Sequence, residues 1–390
     1  MISMPDTVDK KSISVFKEGI EALAEAGGKD VNLCFQCSLC TSSCPWNGVR
    51  QFPLRRMLRQ AQFGLVELES QDWWLCMTCG LCTSRCPRGV PIIDIMKAVR
   101  NVAVSAGMEP ASLHSAMASL ASLGNPWSQA PEKRTEWTEG MGIKAHSPGT
   151  ELLYFPCCTS AYEPRARSIA RSTAMILQAS GVDFGILGAA EVCCGESARK
   201  SGYEGLFKNL AGTNIKTFSQ VGVTRILTSS PHCYYTFKNE YSLLGGRFEV
   251  VHFTEYLGGL LSSGRLKLSK ELKARIAYHD PCYLGRHSGI YDAPRQVLQS
   301  IPGVELVEMT DRRETSLCCG GGGGRIWQES KKGERFTDIR LAQAESVGAD
   351  VMATACPYCL VNFDASARDI PEGKKTVQVK DISELVAEAL

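Results

Sequence analysis

The chain has 390 residues, 44% hydrophobic and 22% charged, with a formal net charge of +2. That length accommodates two or three domains with cores of their own, and the near balance of charge excludes the basic excess expected of a nucleic-acid-binding protein. Eighteen cysteines, gathered in clusters, are the departure from an ordinary globular composition.

The first thirty residues carry charges throughout, from Asp6 and Asp9 to Glu18 and Glu21, and so hold no signal-peptide apolar core. The small-residue stretch near 102–124 is broken by Glu109, Pro110 and His114, which leaves no apolar run long enough to span a bilayer. The expectation is a cytoplasmic protein with reduced thiols, reaching a membrane only through a partner.

Residues 9–26 place Ile13, Phe16, Ile20, Leu23 and Ala24 at helical spacing, and Gly27-Gly28 end the pattern. Two copies of one motif follow, Cys34-x2-Cys37-x2-Cys40-x3-Cys44-Pro45 and Cys76-x2-Cys79-x2-Cys82-x3-Cys86-Pro87. Three thiolates on one tight coil cap three corners of an iron–sulfur cube while the fourth cysteine crosses to the other cube. Cys34, Cys37, Cys40 and Cys86 are therefore expected on one [4Fe-4S] cubane, and Cys76, Cys79, Cys82 and Cys44 on the other. A zinc ribbon needs pairs of CxxC, not triples.

Helices are predicted at 53–68, where Arg55, Arg56 and Arg59 make a solvated basic face or meet an acidic partner, and at 91–105, opened by Pro91. From 124 to 149 the composition turns to proline, glycine and tryptophan, predicting a linker pinned by Trp127 and Trp137.

The remainder is duplicated. Cys157, Cys193-Cys194-Gly195 and Ser230-Pro231-His232-Cys233 recur as Cys282, Cys318-Cys319-Gly320 and Cys356-Pro357-Tyr358-Cys359, each 125 or 126 residues later. Strands are predicted at 152–156, 182–187, 224–229 and 248–252, with helices near 163–180, 203–220 and 233–241. In the second copy strands fall at 275–279, 304–309, 350–354 and 376–380, with helices near 294–301, 333–346 and 357–367. This alternation implies two α/β units with parallel sheets and ligands at the strand ends.

Cys282, Cys318, Cys319, Cys356 and Cys359 exceed the four ligands of a closed zinc site, and soft thiolates in excess select iron–sulfur chemistry. Adjacent Cys318 and Cys319 would make a strained disulfide. The first copy has Cys157, Cys193, Cys194 and Cys233 but Ser230 where the second has Cys356, so it holds either a modified cluster or none. Cys158, opposite Tyr283, is a spare thiol or a substitute ligand. The run Gly320–Gly324 lacks the Lys-Ser/Thr of a phosphate loop and is read as bare backbone approaching cluster sulfurs. His232, His279 and His287 read as structural groups or hydrogen-bond donors to ligands, His287 also as a proton donor to substrate.

These motifs, with Trp74-Leu75-Cys76 and Arg85-Cys86-Pro87-Arg88-Gly89-Val90, resemble a fusion of the C-type ferredoxin subunit and the B-type catalytic subunit of heterodisulfide reductase, in the order of the D-type subunit. The resemblance implies an α-helical two-[4Fe-4S] ferredoxin domain over 1–123, a linker at 124–149, and Rossmann-like CCG units at 150–265 and 266–390. It implies a non-cubane [4Fe-4S] cluster on Cys282, Cys318, Cys319, Cys356 and Cys359, which are then the catalytic set; the first unit departs from the family pattern at Ser230, which leaves a further iron–sulfur cluster there an open alternative. An iron–sulfur electron-transfer subunit acting on a disulfide or thiol is expected, with a flavin-containing heterodisulfide reductase A-type subunit as partner and no nucleic acid. The alternative is a non-catalytic wiring subunit for an organic-acid or acyl-CoA dehydrogenase or a quinone-linked membrane complex, which Ser230 favours.

Overall fold

In the computed structural model, which describes residues 15–369 and 377–390, the duplicated half consists of two four-stranded parallel sheets. The first comprises β1 (Leu152–Phe155), β2 (Phe184–Gly185), β3 (Arg225–Thr228) and β4 (Glu249–His252) in the order β2-β1-β3-β4. The second repeats it with β5 (Ala274–Tyr278), β6 (Val304–Val307), β7 (Val351–Thr354) and β8 (Gln378–Asp381) in the order β6-β5-β7-β8. Leu153 pairs with Ile226 in the first sheet and Ile276 with Val351 in the second. Every residue of β1 and β7 is buried, as in a parallel sheet covered on both faces.

Each chain copy passes from its first strand outward, then returns to the other side of it, so the order reverses between β1 and β3 and between β5 and β7. Loops leaving the carboxyl ends at such a point diverge and open a crevice. Cys157 and Cys158 follow β1, Ser230 and Cys233 follow β3, Cys282 follows β5, and Cys356 and Cys359 follow β7.

The two units exchange helices. Phe253–Ser262, the last helix of the first unit, packs on Asp292–Gln299 of the second, and the final helix Ile382–Glu388 packs on Arg167–Ala179 of the first. Neither helix was anticipated from the sequence pattern. Arg165 adds ion pairs across the same boundary, to Asp364 at 3.1 Å and Glu384 at 2.7 Å.

The cysteine-motif region is assembled from short helices. Residues 9–14 of the first predicted helix lie outside the described residues, and the rest forms Lys17–Leu23 followed by a wider turn through Gly28. The helix predicted at 53–68 stops at Gln62. Gly64 lies at φ +70°, and a Cβ there would sit 2.0 Å from the Phe16 carbonyl oxygen, so close contact with the preceding segment ends it. Pro110 separates Ile92–Ser105 from a second helix, Ala111–Leu123, that the pattern did not disclose. Within 124–149, Trp137 is buried edge-on to Tyr154 at 5.9 Å and Trp127 packs on Trp327 at 4.9 Å. No helix among the described residues is long and apolar enough to cross a membrane.

Candidate iron–sulfur sites

The two cysteine motifs share one backbone device. Gln36 and Ser38 in the first, and Thr78 and Gly80 in the second, have positive φ. Left-handed residues at alternate positions curl the loop so that successive side chains face one centre. Cys34, Cys37, Cys40 and Cys86 line a common small cavity. Cys44 is found with the other group: burial, then the nearby Cys79 and Cys76, push its thiol up, and burial and Cys76, Cys79 and Cys44 do the same to Cys82. The fourth cysteine of each motif thus stands beside the first three of the other.

In the second α/β unit five sulfurs form a chain. Cys282 interacts with Cys318, Cys318 with Cys319, Cys319 with Cys359 at 3.2 Å, and Cys359 with Cys356. Burial raises the Cys356 thiol, but hydrogen bonds from Cys359 and His232 outweigh it and bring it to about 6. A ring nitrogen of His279 lies within 4.8 Å of the Cys319 and Cys359 sulfurs. Its Nδ1 accepts a hydrogen bond from Arg340 at 3.2 Å, which leaves Nε2 to face the thiols.

The first unit repeats the arrangement with one exchange. Cys157, Cys233, Cys194 and Cys193 are joined by thiol hydrogen bonds, the one from Cys233 bringing Cys157 to about 7. Ser230 caps the helix Pro231–Tyr235 by accepting from the Cys233 amide at 3.4 Å, the position Cys356 holds for Pro357–Arg368. Cys158 interacts with Cys193, so a fifth sulfur joins the set from the other side. Arg134, from the predicted linker, donates to Cys158 Sγ at 3.3 Å and pairs with buried Glu191. Nothing in the motif spacing marks Arg134; a cation in a tryptophan-rich connector was the available signal.

The ferredoxin-like loop is docked into the second unit. Cys318 hydrogen-bonds Cys79, which draws that thiol down to about 6 despite burial. Arg286 donates to the Cys79 carbonyl at 2.8 Å, the hydroxyls of Thr78 and Tyr283 are 2.8 Å apart, and His287 Nε2 donates to the Thr78 carbonyl at 2.9 Å. The His287 ring stacks on Tyr283 at 4.2 Å, and burial depresses its pKa to about 3. His287 is therefore a neutral docking group whose proton is engaged by backbone.

Arg100, fully buried, donates to the carbonyls of Trp73 (2.9 Å), Cys76 (2.6 Å), Lys200 (2.8 Å) and Gly323 (2.9 Å). It ties the loop to both α/β units. The glycine run serves that contact more than it serves sulfur. A Cβ on Gly322 would lie 2.4 Å from the Met77 carbonyl oxygen and one on Gly323 2.4 Å from that of Cys76. Only the Gly320 amide reaches a sulfur, Cys318 Sγ at 3.3 Å.

The two α/β sites face each other across reciprocal contacts. His232 of the first unit hydrogen-bonds Cys356 of the second, and Tyr358, its counterpart in the repeat, approaches Ser197 Oγ at 3.0 Å. Burial opposes charge on His232, yet Glu196, 2.9 Å from Nδ1, and Cys356 keep it protonated well above the ordinary range.

All eighteen cysteines are free thiols, and the donor set fits iron–sulfur groups. Arg100 bonds only to carbonyl oxygens, and Arg286 Nη2 has no partner among the described residues. Thiolate-bound clusters of net negative charge would compensate both cations.

A 4Fe-4S dicluster domain matches residues 30–90, and a cysteine-rich CCG domain matches twice, at 152–238 and 276–364. The chain is 37% identical over 308 residues to the probable iron–sulfur-binding oxidoreductase FadF of Bacillus subtilis, covering 77% of this chain and 43% of that one. It is 34% identical over 310 residues to the EtfAB:quinone oxidoreductase of Syntrophomonas wolfei, 76% of this chain and 43% of that one. The chain thus spans less than half the length of these two relatives. With the D-type subunit of the dihydromethanophenazine:CoB–CoM heterodisulfide reductase of Methanosarcina barkeri it shares 33% identity over 309 residues, 77% of this chain and 74% of that one. A two-cluster 4Fe-4S module followed by duplicated cysteine-rich units places the chain in the family of the D-type heterodisulfide reductase subunits.

Proposed function

We propose that the chain is the electron-transfer subunit of a heterodisulfide-reductase-like complex that acts on a disulfide or thiol. Cys34, Cys37, Cys40 and Cys86 hold one cubane, and Cys76, Cys79, Cys82 and Cys44 the other. Cys282, Cys318, Cys319, Cys356 and Cys359 hold a non-cubane [4Fe-4S] cluster and make the reactive site. In the first unit Cys158 takes the place left by Ser230, so Cys157, Cys158, Cys193, Cys194 and Cys233 hold a further cluster. Bound clusters supply one-electron transfer and iron able to meet substrate sulfur.

The observation that carries the reading is the contact between Cys79 and Cys318. It leaves no layer of protein between the dicluster module and the second α/β site. Arg100, Arg286 and His287 hold that contact; His232 and Glu196 position Cys356 from the opposite unit. The electron partner is a separate flavin-bearing subunit of A type, and the chain works in the cytoplasm.

A second reading is a non-catalytic wiring subunit for an organic-acid or acyl-CoA dehydrogenase or a quinone-linked membrane complex; the name of the Syntrophomonas wolfei relative supports its quinone arm. Anaerobically purified protein, assayed with reduced viologen and a panel of disulfides, separates the two. Disulfide turnover lost in Cys359→Ala is expected; turnover that survives Cys359→Ala but not Cys44→Ala would contradict chemistry at the second site and leave the wiring role. Iron should come to about sixteen per chain, with about four lost in Cys158→Ala. About twelve, unchanged by that substitution, would remove the first-unit cluster.

A further inference from the structure

Behind the second cysteine set lies a cavity of about 460 Å³ that ends on Cys319 and Gly320. Its wall includes Trp46, Arg325, Asn362 and Ser366. The size is that of a small-molecule site.

Arg325 is the unusual member. It is 7% exposed, and its hydrogen bonds go to neutral groups alone: Gln328 Oε1 at 3.0 Å, the Glu329 carbonyl at 3.1 Å and Ser330 Oγ at 3.1 Å. Nε has no partner among the described residues. The other charged groups on the wall are engaged or turned away. Glu334 pairs with Arg50 at 3.6 Å, Arg335 pairs with Asp369, and Glu329 is exposed and offers only its carbonyl. Burial, then Arg100 nearby, lower the Arg325 pKa to about 10, and Glu334 on the same wall offsets this only in part.

The duplication shows what is missing. Arg325 continues the 125-residue spacing of the Cys-Cys-Gly motifs from Lys200, and Ser366 continues the 126-residue spacing of Cys233 and Cys359 from Glu240. In the first unit Lys200 and Glu240 form a buried ion pair. In the second the cation persists, but its carboxylate has become Ser366, which bonds Thr337 at 2.5 Å and borders the open cavity. A counter-ion built into one unit has been replaced in the other by space beside a sulfur ligand.

We propose that this cavity binds a small oxyanion-bearing molecule, its carboxylate, sulfonate or phosphate seated on Arg325 and its far end directed at Cys319. A planar guanidinium with free donors is suited to such a head group. The anion site stands on the cavity and the repeat; sulfur chemistry at the far end rests on the proposed function.

Calorimetry on the anaerobic, iron-loaded protein tests both. Propionate and 3-mercaptopropionate should bind at least tenfold more tightly than propanol and 3-mercaptopropanol. Arg325→Met and, independently, Ser366→Glu, which restores the repeat's own counter-ion, should each erase that preference; Arg325→Lys should retain part of it. Iron content matching wild type certifies each variant, and the comparison of acids with alcohols on wild type stands without any variant. Equal binding of acids and alcohols, or a preference untouched in Ser366→Glu, overturns the proposal. If propionate binds through Arg325 but the thiol adds nothing and leaves the EPR spectrum unchanged, the anion site holds and the thiol reading fails.

Discussion

Replacing Arg100 by Met should uncouple the ferredoxin-like loop from the α/β half. The guanidinium makes four hydrogen bonds of 2.6–2.9 Å to carbonyls on three segments. Charge-assisted bonds contribute roughly 1.5–3 kcal/mol each, so four set an upper bound of about 6–12 kcal/mol. Removing a buried cation also relieves a desolvation cost of several kcal/mol. The net loss is then about 3–5 kcal/mol, or a factor of roughly 10²–10⁴ in the local opening equilibrium. Amide hydrogen exchange measures it segment by segment. Protection at residues 76–79 and 320–324 should fall by about 100-fold or more, while β1, β3, β5 and β7 keep theirs. Unchanged protection at those two segments, or an equal fall in the central strands, would refute this role of Arg100. Arg100→Lys keeps the charge but not the fork and should fall between the two.

Gly323→Ala should disturb the same docking, because the added methyl meets the Cys76 carbonyl at 2.4 Å and φ is +62°. Overpacking and left-handed strain together predict a loss of about 2–4 kcal/mol, read as faster proteolysis between 70 and 90; Gly321→Ala, which meets only the Asn362 side-chain end at 2.7 Å, should be much milder, and equal effects would refute the packing account. His252, buried at the end of β4, accepts from the Thr254 amide at 3.3 Å, and burial lowers its pKa from 6.5 to about 3. Between those values the unfolded chain binds the extra proton, so stability is full above about 6.5 and falls as pH drops, by about 2 kcal/mol at pH 5. His252→Asn keeps a cap and should flatten that part of the pH–stability profile; an unaltered profile would show that His252 is not its source.

The cysteine spacing alone anticipated the grouping seen in the fold, Cys86 beside Cys34, Cys37 and Cys40 and Cys44 near Cys76, Cys79 and Cys82, because the geometry of a tight coil is local and the motif carries it whole. The offset of 125 or 126 residues likewise disclosed the duplication, and short β-rich runs alternating with helical ones marked all eight strands, since strand and helix periods are displayed directly in the sequence. Helix ends were less legible: Gly64 stops its helix because of Phe16, a neighbour remote in sequence. The helices Phe253–Ser262 and Ile382–Glu388 went unseen because what they bury is set by exchange between units. Tertiary structure alone decided that Cys158 joins the first set, that Gly322 and Gly323 make room for a backbone rather than a sulfur, that His287 spends its proton on Thr78, and that Arg100, Arg134 and Arg325 reach their places. Each depends on which carbonyl, thiol or absent carboxylate a long cationic side chain meets across the fold, and no periodicity along the chain encodes that meeting.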